Sequence, residues 1–295
     1  MALTINNNLM AKNAARNLSN SYGALSNSVR KLSSGLRVGR AADDAAGLAI
    51  RELMRADVAS LNQGVRNAND AISMIQTADG ALQIIDEKLI RMKELAEQAA
   101  TGTYNSDQRL MIESEYQAMA SEITRIANAT DFNGIHLLNG NLSGTHNGEG
   151  LTSTGELKVH FGAGNDCSED YYYIKIGIST ASALGVGNQA KSDSAGFAVS
   201  TQSLAQHALD GLNAAIISKD KIRAHLGALQ NRLENTVSNL QTQSENINAA
   251  ESQISDVDVA TEMTEFVRAQ VLSQAGVAML SQANSLPQMA LQLIG

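Results

Sequence analysis

The sequence predicts a mainly α-helical protein with a small β-rich insert, its N- and C-terminal segments paired as an antiparallel helical rod. Three observations carry this. Apolar residues recur at alternating spacings of four and three over long stretches near both ends; Pro287 is the single proline in 295 residues; and aromatic residues make up 3% of the chain, with no Trp. Alternating spacings of four and three lay apolar side chains along one narrow helical seam, where a partner helix packs. With so little proline, helices can run on without a break. With so few aromatics, a compact core would lack its usual thick anchors.

The seam first appears at Leu18, Tyr22, Leu25, Val29, Leu32 and Leu36, and Gly35 and Gly39 bracket an expected interruption. Asp43 or Asp44 is expected to start a second helix that continues to about Ala99. At the α-helical rise this is roughly 85 Å. Its seam is Met54, Val58, Leu61, Val65, Ala68, Ile72 and Ile75, with Leu82 and Leu89 in register. Residues 101–104 read as a turn, and Asn105 followed by Gln108 has the form of a capping box opening a third helix. Ile112, Tyr116, Met119, Ile123 and Ile126 form its seam. Residues 200–285 read as helix with one or two interruptions, the first choice being near Ser255 and Asp256. Their seam is Ile222, Leu226, Leu229, Leu233, Thr236, Leu240, Gln243, Ile247, Ala250 and Ile254.

Between these helices the composition changes. Twelve of the 23 glycines lie between Gly134 and Gly196, and residues 171–178 alternate as a strand does. The expected organisation is therefore residues 1–42 and 256–295 as two halves of one terminal domain, 43–139 and 197–255 as two parts of a second, and 140–196 as the β-rich insert.

Charge is distributed unevenly. Residues 269–295 contain no Asp, Glu, Lys or Arg, and residues 1–11 are likewise uncharged. Lys12, Arg16, Arg30, Lys31, Arg37 and Arg40 precede the first acid, Asp43, whereas Glu251, Asp256, Asp258, Glu262 and Glu265 precede the neutral C-terminal stretch. Opposite charge on adjacent segments sets register more than strength. The neutral C-terminal stretch has too many amides and hydroxyls for hydrocarbon and too many apolar residues for a surface helix, which suits burial among several protein neighbours. Such ends are expected to be disordered in a free monomer and helical on assembly.

Several function classes are excluded or disfavoured. A net charge of −8 without an aromatic-interleaved basic patch argues against nucleic acid. No apolar run is long enough for a membrane span, and the N-terminus lacks the form of a cleaved secretory signal. The five histidines show no metal-ligand spacing and no His-Glu-x-x-His stretch; Cys167 has no neighbouring His; no phosphate-binding glycine loop is present. No enzyme activity and no cofactor are expected. Asp43 and Asp44 fit helix capping better than a catalytic pair.

Longer motifs bring a resemblance. Residues 31–37 (KLSSGLR), 41–50 (AADDAAGLAI), 76–82 (QTADGAL) and 132–134 (FNG) resemble the N-terminal pattern of bacterial flagellins. Residues 249–252 (AAES), 274–276 (QAG) and 283–288 (ANSLPQ) resemble the C-terminal one. The resemblance spans about residues 1–140 and 200–295; Val38-Gly39 departs from the Ile-Asn usual there. It implies a subunit that polymerises into the flagellar filament for swimming motility, with a core domain built from both termini, an outer helical domain and a solvent-facing insert. Polymerisation is expected to use Leu18, Tyr22, Leu25, Val29, Leu32, Leu36, Val271, Leu280 and Leu286. The resemblance also implies type III export, an extracellular location, an export chaperone, and hook-associated and cap proteins as partners. Family members recognised by the innate receptor TLR5 present contacts at positions matched here by Arg91, Glu94, Leu95, Gln98 and Glu115. A hook-associated or phage-tail-like protein would share helical ends without this set of motifs.

Overall fold

The structure, a computed structural model, describes residues 8–147, 155–166, 169–187 and 198–294. The elements run α1 (Leu9–Ser34), α2 (Ala45–Ala100), α3 (Ser106–Ala129), β1 (Asp131–Phe132), β2 (Ile135–His136), β3 (Leu157–His160), β4 (Tyr171–Ile174), α4 (Gln202–Ser255) and α5 (Val259–Ile294). The chain is thus mainly α-helical with two small antiparallel two-stranded sheets, β1–β2 and β3–β4. It divides into two compact units, Met1–Val58 with Glu245–Gly295, and Ala59–Ser244.

Local chemistry explains the breaks. Gly35 ends α1 in the left-handed region at φ 72°, its N–H donating to the Lys31 carbonyl at 2.8 Å; glycine takes this conformation without the Cβ penalty. Asp44 accepts the Gly47 amide at 2.9 Å and caps the start of α2. Asn105 and Gln108 form the expected reciprocal capping box. Asp258 accepts the Ala260 and Thr261 amides and starts α5.

In the unit Ala59–Ser244, α2 buries a wider face than its predicted seam. Ala71, Met74, Ala78, Ile85 and Met92 are buried beside Ile75, Leu82 and Leu89, because α3 and α4 contribute to one shared core. Antiparallel pairing of α2 and α4 is fixed by Asn62 opposite Ser244, Asp79 opposite Arg223 and Asp86 opposite Lys219. On α4 the buried row extends upstream of the predicted seam through Ala205, Ala208, Leu212 and Ala215. Within the predicted seam, Gln243 is exposed and its neighbour Ser244 takes the inward position.

The β-rich insert leans on these helices. β1 and β2 are joined by Asn133 (φ 52°) and Gly134 (φ 79°), a two-residue hairpin turn of the kind that needs positive φ at both positions. The strand expected over 171–178 stops at Ile174. Beyond it the backbone bonds to a loop instead: the Ile176 amide donates to Leu142 at 3.3 Å and the Ser179 amide to Leu138 at 3.0 Å. A methyl group on Gly64 would collide with the Phe161 carbonyl, and Asn67 donates to the His160 carbonyl at 2.8 Å, so α2 holds the end of β3 directly.

Candidate assembly surface

In the unit formed by the two chain ends, α1 and α5 pack antiparallel. Asn8 donates to the Ala283 carbonyl at 2.7 Å, Lys31 pairs with Glu262 at 3.5 Å, and Leu36 bridges Asp256. The Lys31–Glu262 pair joins the basic N-terminal and acidic C-terminal stretches. The α1 residues facing α5 are Ala14, Leu18, Ser21, Leu25, Ser28 and Leu32, at spacings that alternate between four and three. On α5 the inward row is Phe266, Ala269, Ser273, Gly276, Leu280 and Ala283. A Cβ on Gly276 would stand 3.1 Å from Leu18, so the helices meet closely there.

This geometry splits the seam expected on α1. Leu18, Leu25 and Leu32 face α5, but Tyr22 is 50% and Val29 48% exposed. Tyr22 and Val29 lie one position past Ser21 and Ser28, about 100° further round the helix, and so fall off the α5 face. Leu36 lies past the end of α1, half-buried in the bridge to Asp256. Val271 is 57% exposed, Leu280 is half-buried on the α1 side, and the side chain of Leu286 lies outside the described residues. Around Val271 the charge-free stretch also exposes Leu272, Val277 and Met279. These four residues are spread over the solvent side of α5 with no charged side chain among them.

Two backbone bonds close the linker at the ends of these helices: the Arg37 amide to the Ser255 carbonyl at 2.7 Å and the Val257 amide to the Gly35 carbonyl at 3.0 Å. Arg30 grips Asp43 through both carboxylate oxygens at 2.9 and 3.0 Å. This hydrogen-bonded cation lowers the Asp43 carboxyl from the usual 3.8 to about 2, and Asp43 in turn raises Arg30. The buried Arg51 guanidinium donates to the Val38 carbonyl at 2.7 Å and pairs with Glu52.

The residues matched to receptor contacts lie in the other unit. Arg91 bonds Glu115 and Glu94, both at 2.9 Å, and these carboxylates raise its pKa. The Gln98 amide donates to the Tyr104 hydroxyl at 3.0 Å. Arg91, Glu94, Gln98 and Glu115 therefore offer side chains to solvent. Leu95 does not: at 2% exposure it belongs to the core that α2 shares with α3, and the surface expected at five positions reduces to four.

Sequence reasoning missed Lys219. It occupies a seam position of α4, in step with Ala215 and Ile222, and is 2% exposed between Asp86 at 2.6 Å and Asp220 at 2.7 Å. The continued four–three register through Ala208, Leu212 and Ala215 was the signal that could have found it. Among the described residues no cluster of three or more metal-ligating side chains occurs, and no helix is long and apolar enough to cross a membrane. Cys167 lies outside the described residues.

The chain matches the bacterial flagellin N-terminal helical region over residues 5–143 and the bacterial flagellin C-terminal helical region over residues 209–294. It is 41% identical to the flagellar filament 33 kDa core protein of Treponema phagedenis and 40% identical to flagellins of Halalkalibacterium halodurans and Bacillus subtilis. Each comparison covers 99% of this chain and 100% of the relative. A solved structure from Vibrio parahaemolyticus, assigned as a flagellar hook-associated protein, covers 72% of this chain and 100% of its own. At 13% identity and a TM-score of 0.55, the likeness extends to the fold alone.

Proposed function

The chain belongs to the bacterial flagellins, and we propose that it polymerises through the α1–α5 pair into a flagellar filament, as a structural subunit and not an enzyme. The observation that carries this is the exposed, uncharged apolar surface around Val271, which lies off the mutual face that Leu18, Leu25, Leu32, Phe266 and Leu280 form with the small residues between them. Sister subunits would cover it, with the amides and hydroxyls between fixing register. Residues 1–42 and 256–295 then form the filament core, 43–139 and 197–255 the outer domain, and 140–196 the solvent-facing insert. The core segments gain full order only on assembly, and solution NMR of a monomer with both ends rigid and helical would contradict that.

The remaining partners follow the same reading. Export to the extracellular filament proceeds through the flagellar type III route, with a chaperone holding the charge-free C-terminal helix until cap and hook-associated proteins receive the subunit. TLR5 is the candidate receptor for the Arg91, Glu94, Gln98 and Glu115 surface, testable in reporter cells with Arg91→Ala.

Electron microscopy of the purified chain under polymerising conditions tests the central claim. Val271→Asp places a charge on the exposed face without entering the α1–α5 contact; long tubes from the native chain and none from the variant are expected. Leu280→Asp would also block assembly, but it strikes the α1 contact as well. Normal tubes from Val271→Asp would remove this face from the interface.

A further inference from the structure

Methionine is placed differently in the two units. Of the ten in the chain, Met74 and Met92 are enclosed in the core of the unit Ala59–Ser244. On α1 and α5, by contrast, Met10, Met263, Met279 and Met289 are all exposed. Met279 is the most open of these four, at 65%. It follows Leu272 by seven residues, which returns the helix to nearly the same side, and Val271 and Val277 are exposed within the same two turns. No charged side chain follows Arg268 on this helix.

A thioether packs as an apolar group, but its sulfur is open to two-electron oxidation. With hydrogen peroxide the sulfur lone pair takes one oxygen. The O–O bond breaks, the other oxygen leaves as hydroxide, and the proton of the transferred oxygen passes to it to make water. Sulfur is oxidised by two electrons and the peroxide is reduced by two. The product is a sulfoxide, polar and hydrogen-bond accepting, which sulfoxide reductases convert back.

We infer that Met279 is a peroxide-sensitive modification site that controls addition of the subunit to the filament. This rests on the exposed face of the α1–α5 pair being the polymerising surface. In the free chain the sulfur is open to a small oxidant, and a sister subunit that covers Val271, Leu272 and Val277 covers Met279 with them. A sulfoxide formed beforehand must be buried among aliphatic side chains that offer it no donor, so it opposes the contact. The other exposed methionines of the pair are less well placed. Met10 and Met289 lie near the ends of α1 and α5, and Met263 stands beside Glu262, with Glu265 two residues on, where polar surroundings receive a sulfoxide more easily.

The full chain is treated as a monomer with hydrogen peroxide, the peroxide is removed, and peptide mass spectrometry reads the sulfoxide at each methionine. Met279 should oxidise at least several-fold faster than Met74 and Met92. The treated chain should need about tenfold or more concentration to form the tubes that the untreated chain forms, as burial of an unpartnered polar group implies. Sulfoxide reductase should restore polymerisation. Met279→Leu, in which the remaining exposed methionines still oxidise, should polymerise equally well before and after treatment, and Met279→Gln should polymerise poorly without any peroxide. Tubes grown first and then exposed to peroxide should keep Met279 unoxidised, a measurement that needs no variant. Unchanged polymerisation of the oxidised native chain, equal loss in treated Met279→Leu, or oxidation of Met279 in tubes as fast as in the monomer would each overturn the inference while leaving the filament reading intact. An untreated native chain that forms no tubes would overturn both.

Discussion

In the unit Ala59–Ser244, the buried row of α2 carries Met74, Ile75, Leu82, Ile85, Leu89 and Met92, each 2% exposed or less. In the unit of the chain ends, the buried positions of α5 are Ala269, Ser273 and Ala283, while Val271, Leu272, Val277 and Met279 stand half exposed. Both regions are long helices with similar seams. One encloses a row of large side chains in its own core; the other divides them, with Leu18, Leu25, Leu32, Phe266 and Leu280 inward and Tyr22, Val29, Val271, Leu272, Val277 and Met279 outward. A helix pair that has closed its mutual face and still shows large apolar residues elsewhere has hydrophobic surface beyond what its internal contact uses. That surface is left for neighbours.

The comparison breaks most visibly under truncation. Leu82→Ala should cost about 3 kcal/mol of folding stability, because it empties a fully enclosed site. Leu18→Ala, on the half-buried face of α1, should cost about 1 kcal/mol in the free chain, since water can reach the space. Denaturant unfolding followed by helical circular dichroism measures both. Equal costs would mean that the chain-end unit is as closed as the other.

Gly276→Val comes next, at about 1–2 kcal/mol against the chain-end unit, because the added side chain presses on Leu18 at the closest approach of α1 and α5. Thermal unfolding should show this loss, with Gly276→Ala falling between it and the native chain.

Lys219 sharpens the other side. Lys219→Met should destabilise by on the order of 1–2 kcal/mol at neutral pH, since Asp86 loses its buried cation but is partly open to water. Adding Asp86→Asn should recover most of that, which a double-mutant comparison of unfolding midpoints reads.

The smallest effect is a pH dependence. The folded-state pKa of Asp43 is lowered to about 2 from 3.8 by Arg30. Its stabilising contribution is therefore complete above about pH 4 and is lost as pH falls through about 2. Asp43→Asn should lower the midpoint slightly at neutral pH and flatten this part of the acid limb in a series of thermal midpoints, so that the two chains converge as pH falls through about 2. An acid limb identical in the native and Asp43→Asn chains would rule out the pair as its source.

The breaks, the capping box at Asn105 and Gln108 and the uncharged C-terminal stretch were legible in the residues themselves, because capping, left-handed glycine and charge are properties of a few neighbouring residues. The existence of a seam was equally plain from its period. What faces what was decided by the tertiary structure. Ser21 and Ser28 point inward in place of Tyr22 and Val29 because α5 packs on the face that the serines share with Leu18, Leu25 and Leu32. Leu95 is buried because α3 closes over it, Lys219 sits in a seam because two aspartates receive it, and the strand at Tyr171 ends early because a loop offers its carbonyls to the next residues. Each of these depends on the size and position of groups far away in sequence, which no local period encodes.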